Sequence, residues 1–139
     1  MGRKPRWNSE IVDVAGDDLI PVMRAGHLVP VARSQVQWAQ TQGDYVCLHV
    51  PGESYLARIP LTYLAERWAE YGFVCTHREY LVYFPLVTDL WRGPSGYNVR
   101  LGSGRDAVDI PVARRRVEEL KQRWIHQRQH HGNETPPTT

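Results

Sequence analysis

The pattern of apolar and polar residues predicts a chain built mainly of short strands. Residues 19–23 and 27–31 are two apolar runs that flank Arg24, Ala25 and Gly26, a turn of hairpin size. In residues 44–50 the apolar positions alternate with others at a period of two, as in a half-buried strand. Further segments bounded by Gly or Pro have strand character, namely residues 36–40, 54–59, 73–76, 79–84, 86–92, 97–101 and 107–112.

The period changes twice, and each change predicts a helix. Leu61, Leu64, Ala65 and Trp68 follow the i, i+3, i+4, i+7 spacing of one helix face. Pro60 would occupy the first helical position, and Gly72 would end this helix. Val117, Leu120 and Trp124 predict a second helix near the C-terminus. About ten strands and two helices, without strand–helix alternation, indicate a mainly β fold.

The length of 139 residues suits one domain, which we expect at residues 18–126. Residues 1–17 and 127–139 are polar and lack periodicity, so we expect a flexible N-terminal segment and a disordered tail. No window approaches 18 consecutive apolar residues, and no signal peptide is evident. Cys47 and Cys75 lie in apolar stretches, which is typical of reduced core thiols. We therefore expect a cytoplasmic protein without membrane association.

The basic residues are distributed unevenly, although the net charge is only +2. All 17 are arginine except Lys4 and Lys121. The arginine fork suits phosphates and guanine edges, but a GC-rich genome would produce the same bias. Arg114, Arg115 and Arg116 form the densest cluster, directly before the second predicted helix. A helix N-terminus repels cations, which favours an anion-binding role over a merely solvated first turn.

The motifs of common enzymes are absent from the sequence. There is no Gly-rich phosphate loop after a strand and no G-x-S-x-G nucleophile motif. His126, His130 and His131 lack the spacing of a zinc site with either cysteine. Asp17 and Asp18 look like the acidic pair of a receiver domain, but the chain has no room for that α/β fold. We expect no catalysis, no metal and no cofactor.

Four segments, in this order, resemble the LytTR domain, the DNA-binding module of LytR/AlgR-type transcription regulators. The segment at residues 72–82, GFVCTHREYLV, is the strongest and is similar to the family pattern G-F-x-R-x-H-R-S-Y-L-V. Together the segments span roughly residues 19–125. The other three are VQWAQTQGDYV at 36–46, RIPLTYL at 58–64 and IPVARRR at 110–116.

The resemblance implies an elongated domain of ten strands in three small sheets, a β-β-β sandwich with a short internal helix. In this family, loops at sheet edges enter successive major grooves of promoter DNA. Members bind paired direct repeats, and most are the output half of bacterial two-component response regulators. The resemblance leaves open a homodimer on DNA, and a receiver domain or sensor kinase elsewhere.

Polar turns that follow apolar strands are the candidate DNA contacts. His77 and Tyr45 each have an ordinary alternative, because His77 could bond backbone in its loop and Tyr45 could pack on Tyr55. Gly43 would allow backbone to approach a phosphate closely. The candidate DNA-binding residues are Gln42, Asp44, Tyr45, His77, Arg78, Glu79, Arg114, Arg115 and Arg116.

The sequence departs from the family pattern at several of these positions. Glu79 replaces a serine, Ala113 replaces a serine before the arginines, Asp44 replaces an asparagine, and Tyr83 replaces another. Glu79 is unfavourable near phosphate unless it pairs with Arg78 or accepts from a cytosine amino group. These departures are the evidence for an alternative function, a protein-interaction module that kept the fold and lost DNA binding. From the resemblance we expect a sequence-specific DNA-binding transcription regulator.

Overall fold

The computed structural model describes residues 18–134, which contain ten strands in three sheets and two α-helices. This confirms the predicted mainly β class. The helices are α1 (Leu61–Trp68) and α2 (Val117–Glu134). The strands are β1 (Leu19–Arg24), β2 (His27–Ala32), β3 (Trp38–Gln42), β4 (Tyr45–Val50), β5 (Glu53–Ala57), β6 (Phe73–His77), β7 (Tyr80–Tyr83), β8 (Val87–Gly93), β9 (Gly96–Leu101) and β10 (Val108–Pro111).

The chain divides into two compact units, which we call the N-terminal unit (through Ala69) and the C-terminal unit (from Glu70). The first strand pair of the N-terminal unit is the antiparallel hairpin β1–β2, in which Pro21 lies opposite Pro30. Neither proline can donate a backbone hydrogen bond. Their pairing therefore suits a position where the two residues exchange no ladder bonds, in a sheet of only two strands.

Strands β3, β4 and β5 form an antiparallel meander in the same unit. In β4, Val46 pairs with Ala57 of β5 and Leu48 pairs with Tyr55. The side chains of Val46 and Leu48 are buried on the core side of the sheet. The opposite side carries Trp38 and His49, which are register partners. Their rings stack at 3.7 Å between centroids with only 5° between planes. Partial burial of this stack lowers the pKa of His49 below its ordinary value.

Acidification should therefore destabilise the chain through His49. The unfolded state binds a proton near the ordinary histidine pKa of about 6.5, while the folded state resists it until lower pH. Stability from this group is thus present above about pH 6.5 and is lost as the pH falls toward the depressed folded value. His49→Gln should reduce the difference in urea midpoint between pH 7.5 and pH 5.5. An unchanged difference would contradict the assignment.

Helix α1 buries Leu61, Leu64 and Trp68, as the spacing predicted, and Ala65 is half-buried. Asp18, whose carboxylate is almost fully buried, joins the start of β1 to this helix. It accepts hydrogen bonds from Arg67 Nε, from Arg67 Nη2 at 2.7 Å and from Trp68 Nε1 at 2.8 Å. Asp18 is therefore a structural carboxylate in this unit.

The C-terminal unit contains the hairpin β6–β7, the meander β8–β9–β10 and helix α2. Its core includes Leu81, Phe84, Val99, Ile110 and Leu120, each at most 1% exposed. From α2, Gln127 donates a hydrogen bond to the Phe84 carbonyl at 3.2 Å. The helix is thereby joined to the segment that follows β7.

Two boundaries differ from the sequence expectations. Pro60 is the N-cap of α1, one residue before the first helical position, with extended ψ of 141°. The expected tail from Gln127 begins too early, because α2 continues to Glu134. Its polar turns gain tertiary contacts, including the Gln127 bond and Arg123 over the Phe84 ring. The expected segment 1–17 and the last five residues lie outside the described part.

Both cysteines are free thiols, as the sequence predicted. Cys47 is buried in the N-terminal unit, and Cys75 is half-buried in the C-terminal unit. Burial raises the pKa of Cys75. No helix within residues 18–134 is both long and apolar enough to cross a membrane.

Candidate nucleic-acid interface

The first candidate group lies at the β3–β4 turn of the N-terminal unit. Gly43 and Asp44 form a two-residue turn, and Gly43 has a φ of +63°, which favours glycine. Gln42 and Tyr45 are register partners on either side of the turn. All four residues are exposed. The turn therefore presents an amide, a carboxylate and a phenol to solvent.

Tyr45 interacts with Arg58, which the sequence analysis did not select. The pairing of Val46 with Ala57 places Arg58 beside Tyr45, and its guanidinium lies 5.8 Å from the ring centroid. The expected packing of Tyr45 on Tyr55 is wrong. Tyr55 pairs with Leu48, three residues along β4, so it faces the other side of the sheet. There it accepts a hydrogen bond from Arg24 at 2.9 Å.

The second candidate group belongs to the C-terminal unit and depends on a β-bulge at the end of β6. The register between β6 and β7 shifts between Cys75 and His77, and Thr76 is the extra residue. Thr76 is fully buried. Its hydroxyl donates to the Pro111 carbonyl at 2.9 Å, and its own carbonyl accepts from the Ala113 amide at 2.8 Å. The bulge thus holds the segment before Arg114 against the end of β6.

His77, the next residue, forms a hydrogen bond with the backbone of its own loop, as predicted by the alternative in which this histidine has only a local role. Its Nδ1 accepts from the Glu79 amide at 3.2 Å, and its ring lies edge-on to Tyr80. A ring nitrogen that accepts carries no proton, so the neutral imidazole carries its proton on Nε2. The hydrogen bond at Nδ1 therefore leaves the Nε2–H of His77 available to donate to an acceptor outside the chain.

Arg78 and Glu79 form the two-residue turn between β6 and β7, and both side chains are exposed. In the described part of the chain no ion pair joins Glu79 to Arg78 or to another base. The pairing of Glu79 with Arg78, one of the two ways in which Glu79 could be tolerated near DNA, is thus not formed in this arrangement.

The three consecutive arginines divide into two classes. Arg114–Arg116 form a 3-10 turn that continues without a break into α2, whose own first turn contains Glu118 and Glu119. The arginines therefore open this helical segment, as expected, and two acids follow them. Arg116 is half-buried and pairs with Glu119 at 3.0 Å. Arg114 and Arg115 are exposed and have no carboxylate partner among residues 18–134.

A groove of about 780 Å³ brings some of these residues together. We call it the arginine groove; it lies between the end of β6, the β8–β9 turn and the segment from Pro111 to Arg114. His77 and Arg114 line it, and so does Arg92, which is exposed. No carboxylate is among the lining residues. Arg78, Glu79 and Arg115 do not line this groove, although Arg78 directly follows His77 and Arg115 directly follows Arg114, which do.

Two other open pockets of the described residues contain acids. A pocket of about 550 Å³ in the N-terminal unit is lined by Asp44 together with Tyr45 and Arg58. Another, of about 630 Å³ in the C-terminal unit, contains Asp89, Arg100 and Asp109. Arg100 pairs with Asp109 at 2.9 Å, and this pairing lowers the pKa of Asp109. Of these three pockets, the arginine groove is thus the one whose charge most favours an anion.

Sequence reasoning missed Arg58, Thr76 and Arg92. Arg58 was visible in the motif at 58–64, but its partner Tyr45 depends on strand pairing. Arg92 directly precedes the Gly93-Pro94-Ser95-Gly96 turn. A basic residue next to a turn rich in Gly and Pro was the feature of the sequence that could have identified Arg92 as a candidate. For Thr76 the sequence contains no such signal.

Within residues 18–134 no three His, Cys, Asp or Glu side chains could hold a metal, and the side chains of His130 and His131 lie outside the described part.

Comparison with known families gives a match over most of the chain. The sequence model of the LytTr DNA-binding domain matches residues 26–125. That range includes every candidate site residue in both units. Strand β1 lies just before it.

Two individual proteins illustrate the similarity. The heme-containing CO-sensing transcriptional regulator RcoM 2 of Paraburkholderia xenovorans (strain LB400) is 24% identical over 103 residues, which is 74% of this chain. The chain spans 38% of that relative's length. A solved LytTr DNA-binding domain from a response regulator of Bacillus cereus superposes with a TM-score of 0.63. It is 11% identical, with 75% of this chain and 94% of that domain covered, and it shows the shared fold.

Proposed function

This chain belongs to the LytTR DNA-binding domain family, and from that premise we propose that it is a sequence-specific transcription regulator that reads promoter DNA through its turns. The observation that carries the proposal is the family match over residues 26–125. It is supported by the arginine groove, where His77 and Arg114 converge without a carboxylate. DNA affinity requires such uncompensated cationic donors.

In the N-terminal unit, the β3–β4 turn would contact one stretch of DNA. The Gln42 amide can donate to and accept from a base edge in the major groove. Tyr45 would support the guanidinium of Arg58 and offer its hydroxyl to a phosphate. Asp44 is tolerated only where it faces a donor, such as the cytosine amino group.

In the C-terminal unit, we assign base reading to the β6–β7 turn. Arg78 is exposed at the turn tip, and its planar fork matches the O6 and N7 acceptors of guanine. Glu79 would accept from the amino group of a neighbouring cytosine. His77 would donate its Nε2 proton to a phosphate or base acceptor.

Arg114 and Arg115 would contact phosphates, because both are exposed and neither pairs with a carboxylate in the described part of the chain. Arg116, which the sequence grouped with them, is half-buried and bound to Glu119. Its contribution to DNA binding would be to hold the 3-10 turn in place. These roles sort the three arginines by exposure.

The wider regulatory context rests on the resemblance. We propose paired direct repeats as the target, a homodimer on DNA, and a bacterial cytoplasmic setting. We also propose that the chain is the output part of a two-component system, with a receiver or sensor kinase elsewhere. The similar Paraburkholderia protein is a CO-sensing transcriptional regulator, and this chain covers 38% of its length.

Arg78→Ala should test base reading. Loss of one bidentate contact to guanine is expected to cost about 1–3 kcal/mol and to relax preference at a single position. The measurement is the affinity for the preferred DNA site and for each single-base variant of it. An equal loss across all sequences would show that Arg78 contacts phosphate and would reject the assignment to a base.

Replacing both Arg114 and Arg115 with Ala should test the phosphate contacts. Folding should stay intact or improve slightly, because two neighbouring like charges are removed. Affinity should fall for every DNA sequence. The slope of log affinity against log salt should flatten by about 1.8, since each phosphate contact contributes roughly 0.9. An unchanged slope together with a lower unfolding midpoint would show that these arginines are structural.

The second candidate function is a protein-interaction module that has lost DNA binding. The observation that favours it is the pair of exposed acids, Asp44 and Glu79, at the two turn tips. A mobility shift with competitor DNA at two salt concentrations separates the candidates. The DNA regulator requires sequence preference and a steep salt dependence. A module without DNA binding would show neither.

A further inference from the structure

We propose that the arginine groove holds one phosphate group of the DNA backbone, with Arg92 of the β8–β9 hairpin and Arg114 as its two cationic arms. This inference rests on the proposed function and extends it to a hairpin that none of the sequence motifs includes. The groove combines His77, Arg92 and Arg114, with no acid in its lining. A phosphodiester is the anion that a DNA-binding chain meets there.

The alternation along β8 directs Arg92 away from its neighbour Trp91, because successive strand residues face opposite sides. Trp91 is anchored on its own side by a hydrogen bond from Nε1 to Asp109 at 2.9 Å. The Arg100 guanidinium, itself bonded to Asp109, lies 5.4 Å from the Trp91 ring centroid. The strand that carries Arg92 is thereby fixed from the side opposite the groove.

Glycines at the turn complete the support. A Cβ on Gly93 would lie 2.9 Å from the Trp91 ring, so only glycine allows that ring to pack there. Gly96 has a φ of +125°, in the region that favours glycine. Both lie in the groove wall. The turn can therefore approach a phosphate closely while the position of Arg92 is maintained.

The opposite wall is set by hydrogen bonds of the backbone. The Val112 amide donates to the Tyr97 carbonyl at 2.9 Å, which ties the wall to the start of β9. The Ala113 amide donates to Thr76, next to His77. Each of the three donor side chains thus comes from a different element that is fixed by its own contacts. Such preorganisation lowers the entropy lost on binding.

Arg92→Ala is the variant that tests the inference, and Arg105→Ala is its matched control. Arg105 is exposed, belongs to the same unit and does not line the groove, so its loss changes the net charge equally. Affinity for the preferred DNA site is measured at several salt concentrations. Arg92→Ala should bind about tenfold more weakly, the effect of one charged hydrogen bond, and should reduce the salt slope by less than the roughly 0.9 of a full phosphate contact, because Arg114 still contacts the same phosphate. Arg105→Ala should change neither.

The second measurement uses DNA in which a neutral methylphosphonate replaces one backbone phosphate, at each position of the site in turn. Wild type should lose affinity at one backbone position, and Arg92→Ala should lose less at that position, because Arg114 alone still contacts this phosphate. Arg92→Gln, which retains the hairpin stem, should behave like Arg92→Ala and should unfold at the wild-type midpoint. If wild type binds DNA selectively but both Arg92 variants match Arg105→Ala, this inference fails and the proposed function stands.

Inorganic phosphate distinguishes the source of the anion. At matched ionic strength, phosphate should compete with DNA more strongly than chloride, because the groove recognises a phosphate group. NMR shifts at His77 and Arg92 on addition of phosphate without DNA, together with a wild-type affinity that no single methylphosphonate position lowers, would make a free anion the occupant and overturn the proposal. Absence of any selective DNA binding by wild type would reject the proposed function itself.

Discussion

Asp18→Ala is expected to lower the free energy of unfolding by about 3–5 kcal/mol, the usual cost of removing one partner from a buried ion pair. The carboxylate is 6% exposed and accepts hydrogen bonds from both Arg67 and Trp68. Its removal leaves the guanidinium and the indole N–H of these residues without their acceptor. A loss of this size is a large part of the total stability of an ordinary domain.

The matched control is Glu66→Ala, which removes an exposed carboxylate next to Arg67 on the same helix. That variant should stay within about 0.5 kcal/mol of wild type. Asp18→Asn should fall between the two, because the amide oxygen still accepts while the charge is gone. Urea unfolding followed by circular dichroism measures all three. Equal midpoints for Asp18→Ala and Glu66→Ala would refute the structural role of Asp18.

Trp68→Ala is expected to lower the free energy of unfolding by about 3–5 kcal/mol, the second large effect. The side chain is fully buried in the N-terminal unit, on the face of α1 that also carries Leu61 and Leu64. Truncation leaves a cavity and removes the indole donor to Asp18. For a marginally stable chain this is enough to unfold a large fraction of the molecules at 37 °C.

Trp68→Phe separates packing from hydrogen bonding, since it keeps most of the ring and lacks the N–H. It should cost about 1–3 kcal/mol, near the value of a hydrogen bond to a charged group with some lost packing. Thr62→Ala, an exposed position on the same helix, should be nearly neutral. A Trp68→Ala variant with the wild-type melting midpoint would show that α1 does not pack as described.

The strands and hairpins could be predicted because their signals are local. Alternation in residues 44–50 and the glycines in turns such as those at Gly26 and Gly43 determine pairing between neighbours, and ten strands were found where about ten were expected. The face of α1 followed from spacing alone. The end of α2 did not, because its polar last turns depend on contacts with Phe84 and not on periodicity.

The candidate site was only partly predictable. His77, Arg78 and Arg114 were found from their position after apolar strands and from the family resemblance. Arg92 was missed because it joins the other groove residues only through the pairing of β8, β9 and β10. The bulge at Thr76 likewise depends on its partner strand, and no local pattern distinguishes it from an ordinary strand residue.

Selection of bound sequences from random double-stranded DNA, followed by affinity measurements on the selected site, tests the central claim most directly. We expect a defined site that binds at least about 10³-fold more tightly than unrelated DNA, with a steep loss of affinity as salt rises. Selection that yields no common sequence, with affinity that is weak at all salt concentrations, would contradict it.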